Sequence, residues 1–182
     1  LEVGLELGFF GRRLSLDMSM YDKLTKNQII TLNLEPATGA TFQTVNLGSV
    51  RNKGIELMVT AIPVQTENFE WGVTANFNKI KNEVESLGLE GGSGNILLNS
   101  SYDVKLRAVV GKPLGAIYSP EAEHDPDGNV VVNPGTGLPL LSPTEAYRGS
   151  INPDWTMGIG TYVSYKGFKL SVNGDYRKGG VF

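Results

Sequence analysis

Asp125, Asp127 and Asn129 stand at alternate positions around Gly128, the spacing of the first half of a calcium-binding loop, and their oxygens would suit a hard cation. The bidentate glutamate that closes such a loop is missing, because Thr136 holds its position. An exposed Asp-Gly turn accounts for the same residues without a metal. His124 is the sole histidine, and no serine or carboxylate stands at a spacing that would make it the base of a nucleophile. Glu2 with Glu6, or Asp17 with Asp175, would supply the two carboxylates of a glycosidase, and on alternating strand positions they equally line a wet channel. Phe42, Tyr102, Tyr118 and Tyr147 offer rigid aromatic faces to sugar rings or peptide side chains, and each equally suits packing within its own loop. Gly91-Gly92-Ser93-Gly94 lacks the strand, helix and lysine of a phosphate cradle and reads as a flexible loop tip. Nothing here brings together a nucleophile, a base and a metal, so neither an enzyme nor a cofactor is predicted.

The elements that carry these residues are strands. Trp155, Met157, Ile159, Thr161, Val163 and Tyr165 share one face, and after a turn at Lys166-Gly167 the row resumes with Phe168, Leu170, Val172, Gly174 and Tyr176. The opposite face of the return strand is Lys169, Ser171, Asn173, Asp175 and Arg177. One side suits hydrocarbon and the other water. Eleven residues at roughly 3.3 Å each, tilted by about 40°, rise on the order of 25 Å, the height of an outer-membrane apolar band. Trp155 and Tyr165 lie at the two ends of that rise, where rings sit at headgroup level.

Other stretches repeat the pattern. Leu1 to Phe9 alternates with Glu2, Gly4, Glu6 and Gly8, turns at Phe10-Gly11-Arg12, and continues through Leu14, Leu16, Met18 and Met20. Ile55, Leu57, Val59 and Ala61 form a third strand with a less polar reverse face, and Phe69, Trp71, Val73, Ala75 and Phe77 a fourth. Residues 25–52 read as a long loop containing Pro36, in which Gln28 to Leu34 extends a strand. Residues 79–154 read as a second, far longer than an ordinary connection and so expected to have structure of its own. The expectation is an all-β fold: an antiparallel up-and-down transmembrane β-barrel segment of about six strands, with short periplasmic turns and long extracellular loops. Residues 1–182 would form part of one barrel domain.

Composition agrees and excludes other classes. Hydrophobic residues make up 40% and charged residues 19%, which indicates neither disorder nor a helical membrane protein. No run approaches the ~20 apolar residues of a membrane helix, a test that a barrel escapes. A net charge of −3 without a long basic run leaves no footprint for nucleic acid. The absence of cysteine excludes disulfides and thiolate metal sites. Leu1 opens directly into the alternation, and Lys178 and Gly180 interrupt the apolar row ahead of Phe182, so the chain reads as a piece of a longer protein.

Arg51-Asn52-Lys53-Gly54-Ile55-Glu56-Leu57, Val110-Gly111-Lys112-Pro113-Leu114-Gly115-Ala116-Ile117-Tyr118, Asn152-Pro153-Asp154-Trp155 and Tyr165-Lys166-Gly167-Phe168 resemble the SusC/RagA family of TonB-dependent outer-membrane transporters. Glu6 to Phe10 and Tyr21-Asp22-Lys23 are similar too. The resemblance implies a late part of a 22-stranded barrel in the cell outer membrane. It implies a SusD-like lipoprotein lid, an oligosaccharide or peptide cargo, and contact with TonB through a plug that has no counterpart here. The same residues have plain physical readings. Asn52 and Gly54 suit a turn into the third strand, Pro113 and Gly115 a bend in the long loop, and Pro153 a strand start that needs no ladder donor. The competing reading is a soluble β-sandwich carbohydrate-binding module, whose apolar faces would pack on each other about 10 Å apart. Six strands cannot close a barrel, so the piece alone is expected to aggregate.

Overall fold

The computed structural model describes residues 1–33, 37, 39–88 and 94–181. Leu34, Pro36, the Gly91-Gly92-Ser93 tip and Phe182 lie outside the described residues. Among the described residues ten strands follow one another: β1 (Glu2–Phe9), β2 (Leu14–Asn33), β3 (Phe42–Gln65), β4 (Phe69–Ser86), β5 (Asn95–Ser101), β6 (Val104–Val109), β7 (Ala116–Ala122), β8 (Leu141–Ser150), β9 (Pro153–Tyr165) and β10 (Phe168–Gly179). They form a six-stranded sheet in the order β1-β2-β3-β4-β9-β10 and a four-stranded sheet in the order β5-β6-β7-β8.

Two compact units result. The first comprises Leu1–Thr25, Arg51–Asn82 and Asn152–Gly180. Three tight turns join its strands in pairs. Phe10, Gly11 and Arg12 all take positive φ between β1 and β2, and Lys166 and Gly167 (φ 46° and 88°) make the two-residue hairpin turn between β9 and β10. Between β3 and β4, the Thr66 amide donates to the Phe69 carbonyl at 2.7 Å, and the Phe69 amide donates to Thr66 Oγ1 at 3.1 Å. Register locks the alternation into faces. Leu5 pairs with Met18 and Leu7 with Leu16, Val73 pairs with Thr161, and Ile159 stands between Ala75 and Gly174.

The apolar rows of this unit do not meet each other. Ile159 is 49% exposed, Leu170 71% and Val172 60%, and Leu16 and Val73 are only half-buried. A packed sandwich would have buried all five. Every residue of β10 is exposed, as befits a strand at the edge of the sheet.

The second unit comprises Lys26–Val50, Glu83–Ile151 and Val181–Phe182. It has a conventional core of Val50, Val84, Leu87, Ile96 and Ala108, each under a tenth exposed. Strict alternation builds it: in β6, Leu106 and Ala108 take one face while Lys105 and Arg107 take the other. Here the structure extends the sequence reading. The strand pairing does not stop at residue 25 or 79; β2 runs to Asn33, β3 begins at Phe42 and β4 ends at Ser86. Alternation reports contrast between two media, and it is interrupted in these extensions, where Val50 and Val84 join the core of the second unit while the ladder continues.

Candidate functional site

Two polar surfaces carry the residues with chemistry. The first is the even-numbered face of β3, β4 and β9, continued by the odd-numbered faces of β2 and β10. Tyr162 Oη donates to Glu70 Oε1 at 2.7 Å, Gln65 Nε2 donates to Glu70 Oε2 at 2.9 Å, and Lys169 Nζ lies 4.2 Å above the Tyr162 ring. The ring lies flat because Gly72 beside it has no side chain: a Cβ there would stand 2.2 Å from Tyr162 Cε1. Asn76 Oδ1 accepts the Gly158 amide at 2.9 Å, and Asn82 Nδ2 donates to Asn52 Oδ1 at 2.6 Å. Uncharged amides thus share this face with carboxylates and cations, a lining suited to a hydrated lumen.

Tyr21-Asp22 and Arg51-Asn52-Lys53-Gly54 are far apart in sequence and adjacent in space. Arg51 grips Asp22 with two nitrogens, Nε to Oδ1 at 2.7 Å and Nη2 to Oδ2 at 2.9 Å, while Lys53 Nζ reaches Asp22 Oδ2 at 3.3 Å. On the reverse face the Tyr21 ring covers Gly54. Asn52 and Gly54 therefore do not make a turn, as expected from their types, but sit within β3, where a glycine makes room for a ring. Pro153 does open β9, and Pro113 and Gly115 (φ 85°) do lie in the turn between β6 and β7.

The second surface is the charged face of β6, β7 and β8. Tyr118 pairs with Lys105 on one side and Tyr147 on the other. The two tyrosine rings stand 5.6 Å apart, tilted by 57°. Arg107 lies 5.9 Å from the Tyr118 centroid and Lys112 Nζ 4.7 Å from the Tyr147 centroid. Glu145 takes Lys105 on Oε1 and Arg107 on Oε2, the latter at 2.8 Å. The Lys105 hydrogen bond first, then that of Arg107, holds the Glu145 carboxyl below the usual glutamate range.

Of the four aromatics singled out from sequence, the fold joins Tyr118 and Tyr147. The pair includes neither Phe42, 64% exposed at the start of β3, nor Tyr102, fully exposed in the β5–β6 turn. Sequence reasoning missed Arg107, Lys112 and Glu145; the alternation of Val104 to Val109 signalled a two-faced strand, but their convergence depends on register. Asp125 Oδ1 accepts the amides of Asp127 and Asn129 at 3.0 and 2.8 Å, and the Asn129 side chain donates to both carboxylate oxygens. These bonds, the Asn129 side chain foremost, hold the Asp125 carboxyl below its ordinary range. Backbone amides and the Asn129 side chain thus occupy the Asp125 oxygens that a cation would use. His124 is exposed and bridges to Val130. Among the carboxylates, Glu6 lies directly across from Asp17, whereas Asp175 faces Gly158.

An antiparallel sheet with tight turns at one end, an exposed apolar face and a polar reverse face is a section of the wall of a transmembrane β-barrel. The chain belongs to the TonB-dependent receptors: the sequence model described as "TonB dependent receptor-like, beta-barrel" matches residues 1–182. It is 23% identical to TonB-dependent receptor P3 of Formosa agariphila, over 94% of this chain and 19% of that protein. It is 25% identical to TonB-dependent receptor SusC of Bacteroides thetaiotaomicron, over 93% of this chain and 18% of that protein. A structure of the RagAB peptide importer in the closed-closed state superposes with a TM-score of 0.75 at 23% identity, covering 97% of this chain and 20% of that one. The chain thus spans about a fifth of the length of these relatives. The SusC/RagA likeness is met, and the relatives are named as receptors rather than enzymes, in keeping with that expectation.

Proposed function

We propose that the chain forms six strands of the wall of an outer-membrane importer of the SusC/RagA type, taking up oligosaccharide or peptide together with a SusD-like lipoprotein. In this reading the plug that contacts TonB is supplied by another part of the same protein. The observation that carries it is the exposed apolar row of β9 and β10 beside a polar face. Likeness to SusC and to a peptide importer supports the cargo class. The soluble carbohydrate-binding module is not favoured, since it would bury those rows.

In the same reading the Tyr118–Tyr147 pair is a contact surface for cargo. Two rings with adjoining cations and an anchored carboxylate suit sugar hydroxyls or peptide carbonyls. The test is made on the full-length transporter. Spin labels placed in turn at Leu170, Ser171, Val172 and Asn173 in bilayers should alternate between oxygen-accessible and nickel-chelate-accessible. A flat profile would overturn the membrane placement. Uptake of labelled oligosaccharide and oligopeptide by cells carrying the transporter tests the cargo, and transport of neither overturns it.

A further inference from the structure

The pairing of β4 with β9 runs from Phe69–Tyr165 to Asn78–Thr156, while β4 continues to Ser86 and the chain enters β9 through Asn152 and Pro153. A cavity of about 240 Å³ opens where this pairing ends, and Asn52, Asn78, Ile80, Asn82 and Asn152 are part of its lining. It lies wholly within the first unit. Four amides thus meet in one small space, and none of the described side chains lining it is charged.

The amides are not equivalent. Asn82 Nδ2 donates to Asn52 Oδ1 at 2.6 Å, which fixes those two side chains against each other. Asn78 Oδ1, in contrast, is buried and receives no hydrogen bond among the described residues. A buried acceptor left unpaired costs free energy on folding, so stability does not account for it. The terminal torsion of asparagine is soft, and rotation about it swings that oxygen toward the cavity its own residue lines.

Volume and chemistry select the ligand. The cavity falls just below the ~300 Å³ at which pockets for drug-sized molecules begin, so it takes one ring and not a length of chain. An uncharged lining disfavours ions and peptide termini. A peptide unit offers one donor and one acceptor, whereas each hydroxyl of a sugar ring is both, matching amides that carry both functions themselves. Ile80 and Pro153 supply apolar surface for the C–H groups of such a ring.

We propose that this cavity is a subsite for one uncharged sugar residue of the cargo, with a ring hydroxyl donating to Asn78 Oδ1. It rests on the importer reading above and narrows the cargo from oligosaccharide or peptide to oligosaccharide.

Saturation-transfer NMR on the detergent-solubilised full-length transporter tests this, with the methyl glycosides of glucose, galactose and mannose as sugar probes and N-acetylalanine methylamide as the peptide probe. At least one glycoside is expected to take up saturation from the natural protein, and severalfold less from Asn78→Leu. That change removes an unpaired buried oxygen, so the thermal midpoint of the variant should match or exceed that of the natural protein; a fall would make Asn78 structural and overturn the reading. Ile80→Trp, which fills the cavity and leaves Asn78 in place, should abolish the same signal, and it decides the matter alone if Asn78→Leu does not assemble. Equal signals in natural and variant proteins, signal from none of the glycosides, or signal from the peptide probe alone would each overturn the subsite. Oligosaccharide uptake by cells without a glycoside signal would remove the subsite and leave the importer, whereas uptake of neither cargo would remove the importer itself.

Discussion

The Tyr21 ring lies where a side chain at position 54 would begin: a Cβ built on Gly54 stands 2.4 Å from Tyr21 Cζ and 2.5 Å from Oη. Neighbouring strands thus exchange an aromatic cover for a missing side chain, and Tyr162 over Gly72 repeats the device on β9 and β4. Both rings belong to the polar face. Each ring covers the bare backbone of its glycine, and Tyr162 donates its hydroxyl to Glu70 Oε1 at 2.7 Å.

Gly54→Ala is expected to destabilise the barrel by about 1–3 kcal/mol, the usual range for overpacking, because the new methyl meets a ring held between strands. Heat-dependent gel mobility of the full-length transporter measures this. Pairing the change with Tyr21→Ser should recover most of the loss, and additive losses would show that the ring is not the obstacle.

Val172 lies midway along β10 on the apolar row. Val172→Arg is expected to cost about 2–4 kcal/mol of folding free energy in bilayers, the range for arginine at the midplane of a barrel. Ser171→Arg, one residue away on the polar face, should cost little. Folding titrations in lipid vesicles compare them, and equal costs would mean that β10 does not face lipid.

Glu145 makes a pH prediction whose sign follows from its lowered carboxyl. The folded state binds the proton less readily than the unfolded state, so the ion pairs with Lys105 and Arg107 contribute fully above the ordinary glutamate value of 4.5. That contribution is lost as pH falls from there through the lowered value of the folded protein. Hydrogen exchange across residues 95–150 of the intact transporter should quicken over this acidic window. Glu145→Gln should remove the step, and a step of the same size in the variant would assign it to another group.

Tyr147→Ala is expected to weaken cargo uptake at low concentration severalfold while leaving expression and barrel stability unchanged. Tyr147→Phe should keep most of the uptake, since the ring rather than the hydroxyl makes the stacking surface. Concentration-dependent uptake with whole cells distinguishes them. An unaltered Ala variant would leave the Tyr118–Tyr147 pair a packing element of its sheet.

Period-two alternation made the six membrane strands legible because a bilayer on one side and water on the other impose opposite polarity on successive side chains. The turns at Phe10-Gly11-Arg12 and Lys166-Gly167 were legible for a similarly local reason, since each carries a glycine that takes positive φ without strain. The four-stranded sheet announced itself only as an improbably long loop. Its core joins Val50 to Val84, Ile96 and Ala108, contacts that no local pattern encodes. Pairing β4 with β9 requires the chain to complete β5 to β8 in between, and that pairing alone puts Trp155 beside Phe77. Residue types by themselves determined what each side chain would tolerate; register decided which ones met. Tyr118 and Tyr147 became a pair, and Gly54 became a seat for Tyr21. Each of these depends on hydrogen bonds between residues distant in sequence, whose alignment only the assembled ladder fixes.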